Sequence, residues 1–176
     1  MDLTVIVRCY CGLMKNRKKS KTAMLANHNK SPSGDLAREI AQAGAICYRR
    51  TDDGRLEVLM VGSRRNGRWG VPKGHLGAGE SSDLTASRES FEEAGVIGSV
   101  DRAVFGSFTY RKDSTPHRYH VAVHLLEVTG ISDDYPEKTI RKKAWFPLDA
   151  AVTEASQPGL RALMVKLANS RSVPSF

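Results

Sequence analysis

The pattern of apolar and polar positions changes character near residue 42 of this 176-residue chain. Upstream, the run Lys15-Asn16-Arg17-Lys18-Lys19-Ser20-Lys21 and the stretch 27–34 show no apolar periodicity and read as a solvated tail. Downstream the pattern becomes regular. Residues 43–50 read as a strand, Asp52-Asp53-Gly54 as a turn and residues 56–63 as a second strand completing a hairpin. A further turn at Arg65-Asn66-Gly67-Arg68 leads into a short extended piece over 69–72. Residues 84–94 predict a helix that stops at Gly95, a residue suited to the left-handed conformation after a helix end. Residues 100–110 and 118–128 are strand-like around a loop over 112–116, and 143–146 form a short strand. Leu160, Leu163, Met164 and Leu167 fall at helical spacing and predict a last helix over 159–169. Strands then helix, repeated, imply an α/β fold in which a mixed sheet lies between helices. The expected organisation is a basic tail over 1–38, with Met14 and Met24 inside it as alternative starts, and one domain over 39–172.

Composition is that of a globular chain, 40% apolar and 26% charged. The formal charge of +8 invites a nucleic-acid reading, but its location weakens it. Residues 1–38 hold eight Lys or Arg against two acids, while the other 138 hold 19 against 17. Contact with RNA is therefore an expectation for the tail alone. Three cysteines without framework spacing (Cys9, Cys11, Cys47) argue against a disulfide scaffold and for a reducing compartment, and Cys47 sits in an apolar run as a core residue. No stretch approaches the ~20 apolar residues of a membrane span. Residues 3–14 lack the basic-then-apolar order of a secretory signal, so a cytoplasmic protein is expected.

The chemistry is concentrated between Gly74 and Val96. On a helix, Glu89, Glu92 and Glu93 lie three and four residues apart, close enough to project together, with Leu84, Phe91 and Ala94 toward the sheet. Such a cluster repels itself by several tenths of a kcal/mol per pair unless a cation sits among the carboxylates. Hard oxygen donors of this kind suit Mg²⁺ or Mn²⁺.

Gly74, Glu80, Arg88, Glu89, Glu92, Glu93 and Gly95, followed by apolar Val96, fill every fixed position of Gly-x5-Glu-x7-Arg-Glu-U-x-Glu-Glu-x-Gly-U, with U a bulky apolar residue. This arrangement resembles the Nudix box. The one departure is Ser90 at the first apolar position, a packing variation if its hydroxyl bonds back to the preceding turn. The resemblance implies an α/β/α sandwich and hydrolysis of a diphosphate bond with Mg²⁺. It implies Glu89 and Glu93 as metal ligands, with Glu92 beside them as the proton acceptor from the attacking water. Arg88 would orient the glutamates, and the carbonyls of Lys73 and Gly74 would complete the coordination.

The flanks, Arg68-Trp69-x-Val71-Pro72, His117-Arg118-x-His120 and Arg141-Lys142-Lys143-Ala144-Trp145-Phe146, resemble the diphosphoinositol polyphosphate phosphohydrolase branch of that superfamily. Ser63, Arg64, His117 and Arg141 match substrate-contacting positions there, and Arg111 and Arg118 are further candidates to grip phosphate. Where that branch carries a basic cluster before its first core strand, this chain has Ile40-Ala41-Gln42. Gly74-His75-Leu76 likewise replaces its glycine-rich run. A dinucleoside polyphosphate thus stands beside a diphosphoinositol polyphosphate as the expected small-molecule substrate. The alternatives are an RNA 5′-pyrophosphohydrolase, which the basic tail would serve, and a non-catalytic binding module on the same fold, against which the intact glutamates count.

Overall fold

The computed structural model describes residues 37–170. The basic run and the Cys9/Cys11 pair lie outside the described residues. Eight strands form one mixed sheet: β1 (Glu39–Arg50), β2 (Leu56–Gly62), β3 (Trp69–Gly70), β4 (Lys73–His75), β5 (Val96–Val100), β6 (Gly106–Arg111), β7 (Arg118–Ile131) and β8 (Lys143–Pro147). Among the described residues three helices accompany them: α1 (Ser82–Ala94), α2 (Leu148–Glu154) and α3 (Pro158–Asn169). The strand order is β3-β2-β1-β7-β5, with β4 paired to β1, β6 to β7 and β8 to β2. The β1–β7 ladder is parallel and every other pairing is antiparallel.

Strand alternation separates two cores. Ile46 and Tyr48 of β1 join Val58, Met60, Val121 and Val123 beneath Leu160, Leu163, Met164 and Leu167 of α3. The intervening Ala45 and Cys47 face the other way and pack with Leu59, Val61 and Leu126 against Ala86 and Ala94 of α1. A period of two along β1 thus divides its side chains between opposite helical layers. The expected sandwich follows from that division. Among the described residues no helix is long and apolar enough to cross a membrane.

Several expected elements shift. β1 begins at Glu39, because β7 runs parallel to it from Arg118 onward and pairs residues whose sequence has no apolar alternation. The strand expected over 100–110 is two strands: Val100 ends β5, Phe105 donates its N–H to Val123 O at 2.8 Å, and β6 starts at Gly106. β4 and α2 are additional; each is too short to leave a periodic signal. Leu84 does not face the sheet but is 53% exposed. The buried face of α1 is set instead by Thr85, Ala86, Ser90 and Ala94, small residues that allow close helix–sheet approach, together with the buried Glu93. Gly95 ends the helix in the left-handed conformation at φ 69°, as the sequence predicts, and its N–H bonds to Phe91 O.

Candidate active site

The turn before α1 and the two short strands around it set the geometry. β4 lies antiparallel to β1, with Ala43 opposite Gly74 and Gly44 opposite Lys73. At Gly74 an added Cβ would overlap the carboxylate of Glu89, so any side chain there would displace that carboxylate from its place. Glu80 receives hydrogen bonds from the Gly77 N–H (3.0 Å) and the Thr85 hydroxyl (2.8 Å), which fix it at the entry to the helix.

Arg88 then ties the acids together. Its Nε donates to Glu80 Oε1 at 3.0 Å, its Nη2 to Glu80 Oε2 and to the His75 carbonyl at 3.0 Å each, and its Nη1 to Glu89 at 2.7 Å and Glu92 at 3.1 Å. These charge-assisted bonds hold the Glu80 carboxyl below its ordinary value and push the Arg88 guanidinium up. Glu92 moves the other way. Burial raises it, and the neighbouring Glu89 adds to the rise against the opposing Arg88 charge.

A second arginine serves Glu93. Arg141 Nη2 lies 2.8 Å from Glu93 Oε1, its Nε 2.6 Å from Glu137 Oε2, and its Nη1 donates to Gly62 O at 3.0 Å. Arg64 reaches the other oxygen of Glu137 at 3.4 Å. The Lys73 N–H donates to Glu93 Oε2 at 3.4 Å. Glu93 is pushed up to about 7, chiefly by burial, with Arg141 and Lys73 opposing and Glu89 and Glu137 reinforcing. Burial likewise lowers the Lys73 ammonium. Its Nζ sits 5.3 Å from the Tyr110 ring, which stacks on Tyr119 at 5.0 Å.

The fold therefore brings Lys73, Gly74, Arg88, Glu89, Glu92, Glu93 and Arg141 together. Arg141, expected on substrate, turns inward onto Glu93. Arg64 touches this network through Glu137, and Ser63 lies in the exposed turn beside it. Arg111 and Arg118 stand apart from the glutamates at the far end of β6 and β7. His117 accepts from the Arg38 N–H there at 3.4 Å. Glu137 escaped the sequence reading. Its spacing of four from Arg141, with opposite charge, was the available signal. Ser90 behaves as its position required: it is buried, its hydroxyl donates to Ala86 O at 2.7 Å and it accepts from the Cys47 thiol at 3.3 Å. Burial drives that thiol up to about 12, consistent with a core role for Cys47.

Among the described residues no three His, Cys, Asp or Glu side chains converge into a cation cage, because the two arginines draw the acids to opposite sides. The donor set still fits a hard divalent ion. Glu89 lies against Gly74, Glu92 and Glu93 follow it on the same helix, and Glu93 is buried at a cost that a cation would offset.

The NUDIX domain model matches residues 41–167, and the chain belongs to this family. A diphosphoinositol polyphosphate phosphohydrolase 3-beta of Bos taurus is 36% identical over 114 residues, covering 63% of this chain and 66% of that protein. Nudix hydrolase 18, mitochondrial, of Arabidopsis thaliana is 33% identical, covering 61% of this chain and 64% of that one. The chain thus spans just under two thirds of the length of these curated relatives. Among solved structures, a C. elegans Ap4A hydrolase binary complex superposes with a TM-score of 0.60 at 23% identity, over 73% of this chain and 95% of that one. That likeness concerns the fold.

Proposed function

We propose that the chain is a Mg²⁺-dependent pyrophosphohydrolase that cleaves a phosphoric anhydride bond in a phosphorylated small molecule, and that it acts in the cytoplasm. The observation carrying this reading is the packing of Glu89 against the Gly74 cradle with Glu93 buried beside it, an arrangement costly to fold unless a cation repays it. Glu89 and Glu93 would hold the ion, with Glu92 and the Lys73 and Gly74 carbonyls as further donors, and Mn²⁺ would serve as an equivalent hard ion. When bound, the ion supplies charge neutralisation at the phosphates and a lowered pKa for the attacking water. Arg88 keeps Glu89 and Glu92 aimed at one place. Glu92, with its carboxyl raised by burial, accepts the proton as water attacks phosphorus. Arg141 and Lys73 supply positive charge next to Glu93 and compensate it before the ion arrives. Ser63, Arg64, Arg111, His117 and Arg118 are the groups offered to the remaining phosphates.

A diphosphoinositol polyphosphate is favoured by the name of the Bos taurus relative, and a dinucleoside polyphosphate by the uncharged Ile40-Ala41-Gln42 at the start of β1. A phosphate-release panel of inositol pyrophosphates, dinucleoside polyphosphates, ADP-ribose, nucleoside triphosphates and capped RNA, run with Mg²⁺ and with EDTA, tests the proposal. Turnover confined to Mg²⁺ and to one or both of the first two classes is expected. Equal turnover in EDTA, or none on any anhydride, would remove it. Cleavage of RNA alone would transfer the role to the RNA reading, in which affinity falls steeply with salt.

A further inference from the structure

Three arginines border one concavity at the end of the sheet away from the glutamates. Arg38 precedes β1, Arg111 ends β6 and Arg118 begins β7; together with Ala37, Glu39 and Pro116 they line a cavity of about 240 Å³. Two backbone contacts fix its rim, the Arg118 N–H donating to Arg38 O at 2.9 Å and the Arg38 N–H to His117 Nδ1 at 3.4 Å.

The charges are badly placed for folding alone. Arg111 and Arg118 are directly opposed in the antiparallel β6–β7 ladder, where like charges destabilise. Glu39 is opposite Arg118 across the parallel ladder but forms no ion pair with it, and one carboxylate cannot balance three cations. Among the described residues none of the three guanidinium groups has a hydrogen-bond or ion-pair partner. By contrast Arg49, Arg55, Arg64, Arg65, Arg88 and Arg141 all pair with carboxylates. A cluster of unspent forks around a concavity matches the oxygens of a phosphate group, which each fork binds in bidentate fashion. The cavity is smaller than the ~300–1,000 Å³ that encloses a whole small-molecule ligand, so it suits a group rather than a molecule.

We propose that Arg38, Arg111 and Arg118 form a second anion pocket, separate from the glutamates, that takes a phosphoryl group of a polyphosphorylated ligand. The register gives its distance. Glu39 at the pocket is four residues from Ala43, the partner of Gly74 in the cradle, which is roughly 13 Å of strand. A single ligand filling both sites must carry a non-reacting phosphate about that far from the reacting one. The pocket rests on the proposed function, which already offers Arg111 and Arg118 to phosphate; it adds Arg38 and the concavity, and its binding needs no metal.

Calorimetry with inorganic tripolyphosphate in EDTA tests it. The full chain should bind, the Arg38→Gln/Arg118→Gln variant should bind at least tenfold more weakly, and Glu93→Gln should bind like wild type. Equal affinity in wild type and the double variant would overturn the pocket, whatever the hydrolysis assays show. Thermal unfolding gives a second readout that does not need the double variant to fold. Arg111→Gln should raise Tm without anion, by relieving the opposed pair, and lose most of the Tm rise that tripolyphosphate gives wild type. A lower Tm with the anion effect intact would also overturn it. With binding established, the KM of Arg38→Gln separates the two sources of the anion. A raised KM assigns the group to the substrate's far phosphate, and an unchanged KM to a separate polyphosphate.

Discussion

The acids of α1 are held by two arginine clasps that use the same bond type with opposite electrostatic results. In the outer clasp, Arg88 meets Glu80 at 3.0 Å with both side chains partly buried, and the Glu80 carboxyl falls below its ordinary value. In the inner clasp, Arg141 meets Glu93 at 2.8 Å, yet the Glu93 carboxyl rises to about 7. Distance to the cation does not decide the sign. Glu80 spends several hydrogen bonds on stabilising its charged form, whereas Glu93 is only 6% exposed and pays desolvation that one guanidinium and one ammonium do not recover. The outer clasp keeps Glu80 ionised and holds the helix acids pointed. The inner one holds an acid whose charge awaits further compensation.

If that contrast is functional, its inner member carries the largest effect. Glu93→Gln should reduce Mg²⁺-dependent hydrolysis on the order of 10³-fold, within the range associated with losing one preorganised charged group at a reacting phosphate. Folding should survive, because Gln removes a costly buried charge and leaves Arg141 paired to Glu137. Circular dichroism and initial rates measured on one preparation check both halves. Retained turnover would place the ion elsewhere.

The next effect depends on pH and separates the clasps. Removing Arg141 as Arg141→Met strands Glu93, and breaking a buried pair ordinarily costs ~3–5 kcal/mol. Here the acid has an escape, since its carboxyl already lies near 7. Denaturant titrations should show the full loss at pH 8.5 and a loss of only about 1 kcal/mol at pH 5.5, where Glu93 takes a proton instead. Arg88→Met should show no such relief over that window, because Glu80 is shifted the other way.

The outer clasp was legible in the sequence and the inner one was not, for a physical reason. Glu80, Arg88, Glu89 and Glu92 lie within 13 residues, so helix geometry and spacing almost place them. The partners of Glu93 arrive from Gly62, Lys73, Glu137 and Arg141 through sheet pairings that no local period encodes. From the sequence Arg141 therefore reads as a contact to substrate phosphate, whereas its guanidinium turns onto Glu93. The same rule holds for the fold. Long periodic elements such as β2, α1 and α3 could be read directly, while β4 needed its ladder to β1 to exist. Leu84 misled because apolar character suggested burial where small neighbours, Ala86 and Ser90, make the closer fit.

A smaller signal probes the inner clasp without mutation. Glu93 has a folded value above its ordinary 4.5, so the stability it contributes is complete below about 4.5 and is lost as pH rises through about 7. Over the same window the carboxyl holds a proton that a divalent ion must expel. Titrating Mg²⁺ into weakly buffered protein at pH 6.5 should release up to about one proton per site, and almost none at pH 8.5. Apparent Mg²⁺ affinity should rise with pH up to about 7 and then level off. Proton release that does not change between the two pH values would mean that Glu93 is ionised throughout, and the contrast between the clasps would collapse.

The smallest expected effect lies between the clasps, at Ser90. Glu89 precedes it in the outer clasp and Glu93 follows three residues later in the inner one, so a shift at this position would disturb both. Its hydroxyl is spent on Ala86 O and accepts from the Cys47 thiol, all within the buried helix–sheet layer. Ser90→Ala removes a donor whose acceptor, Ala86 O, also belongs to the helix ladder, and it leaves the weakly polar thiol only its longer contact to Ala45 O at 3.8 Å. The expected cost is about 1 kcal/mol. Cys47→Ala should cost somewhat more through its lost volume. The double variant should cost less than the sum of the two, because each single change orphans part of the same contact. Mg²⁺ affinity should stay within twofold of wild type in all three variants, since neither side chain reaches a carboxylate. A tenfold loss of Mg²⁺ affinity in Ser90→Ala alone would show that the serine sets the aim of the glutamates rather than filling the layer beneath them.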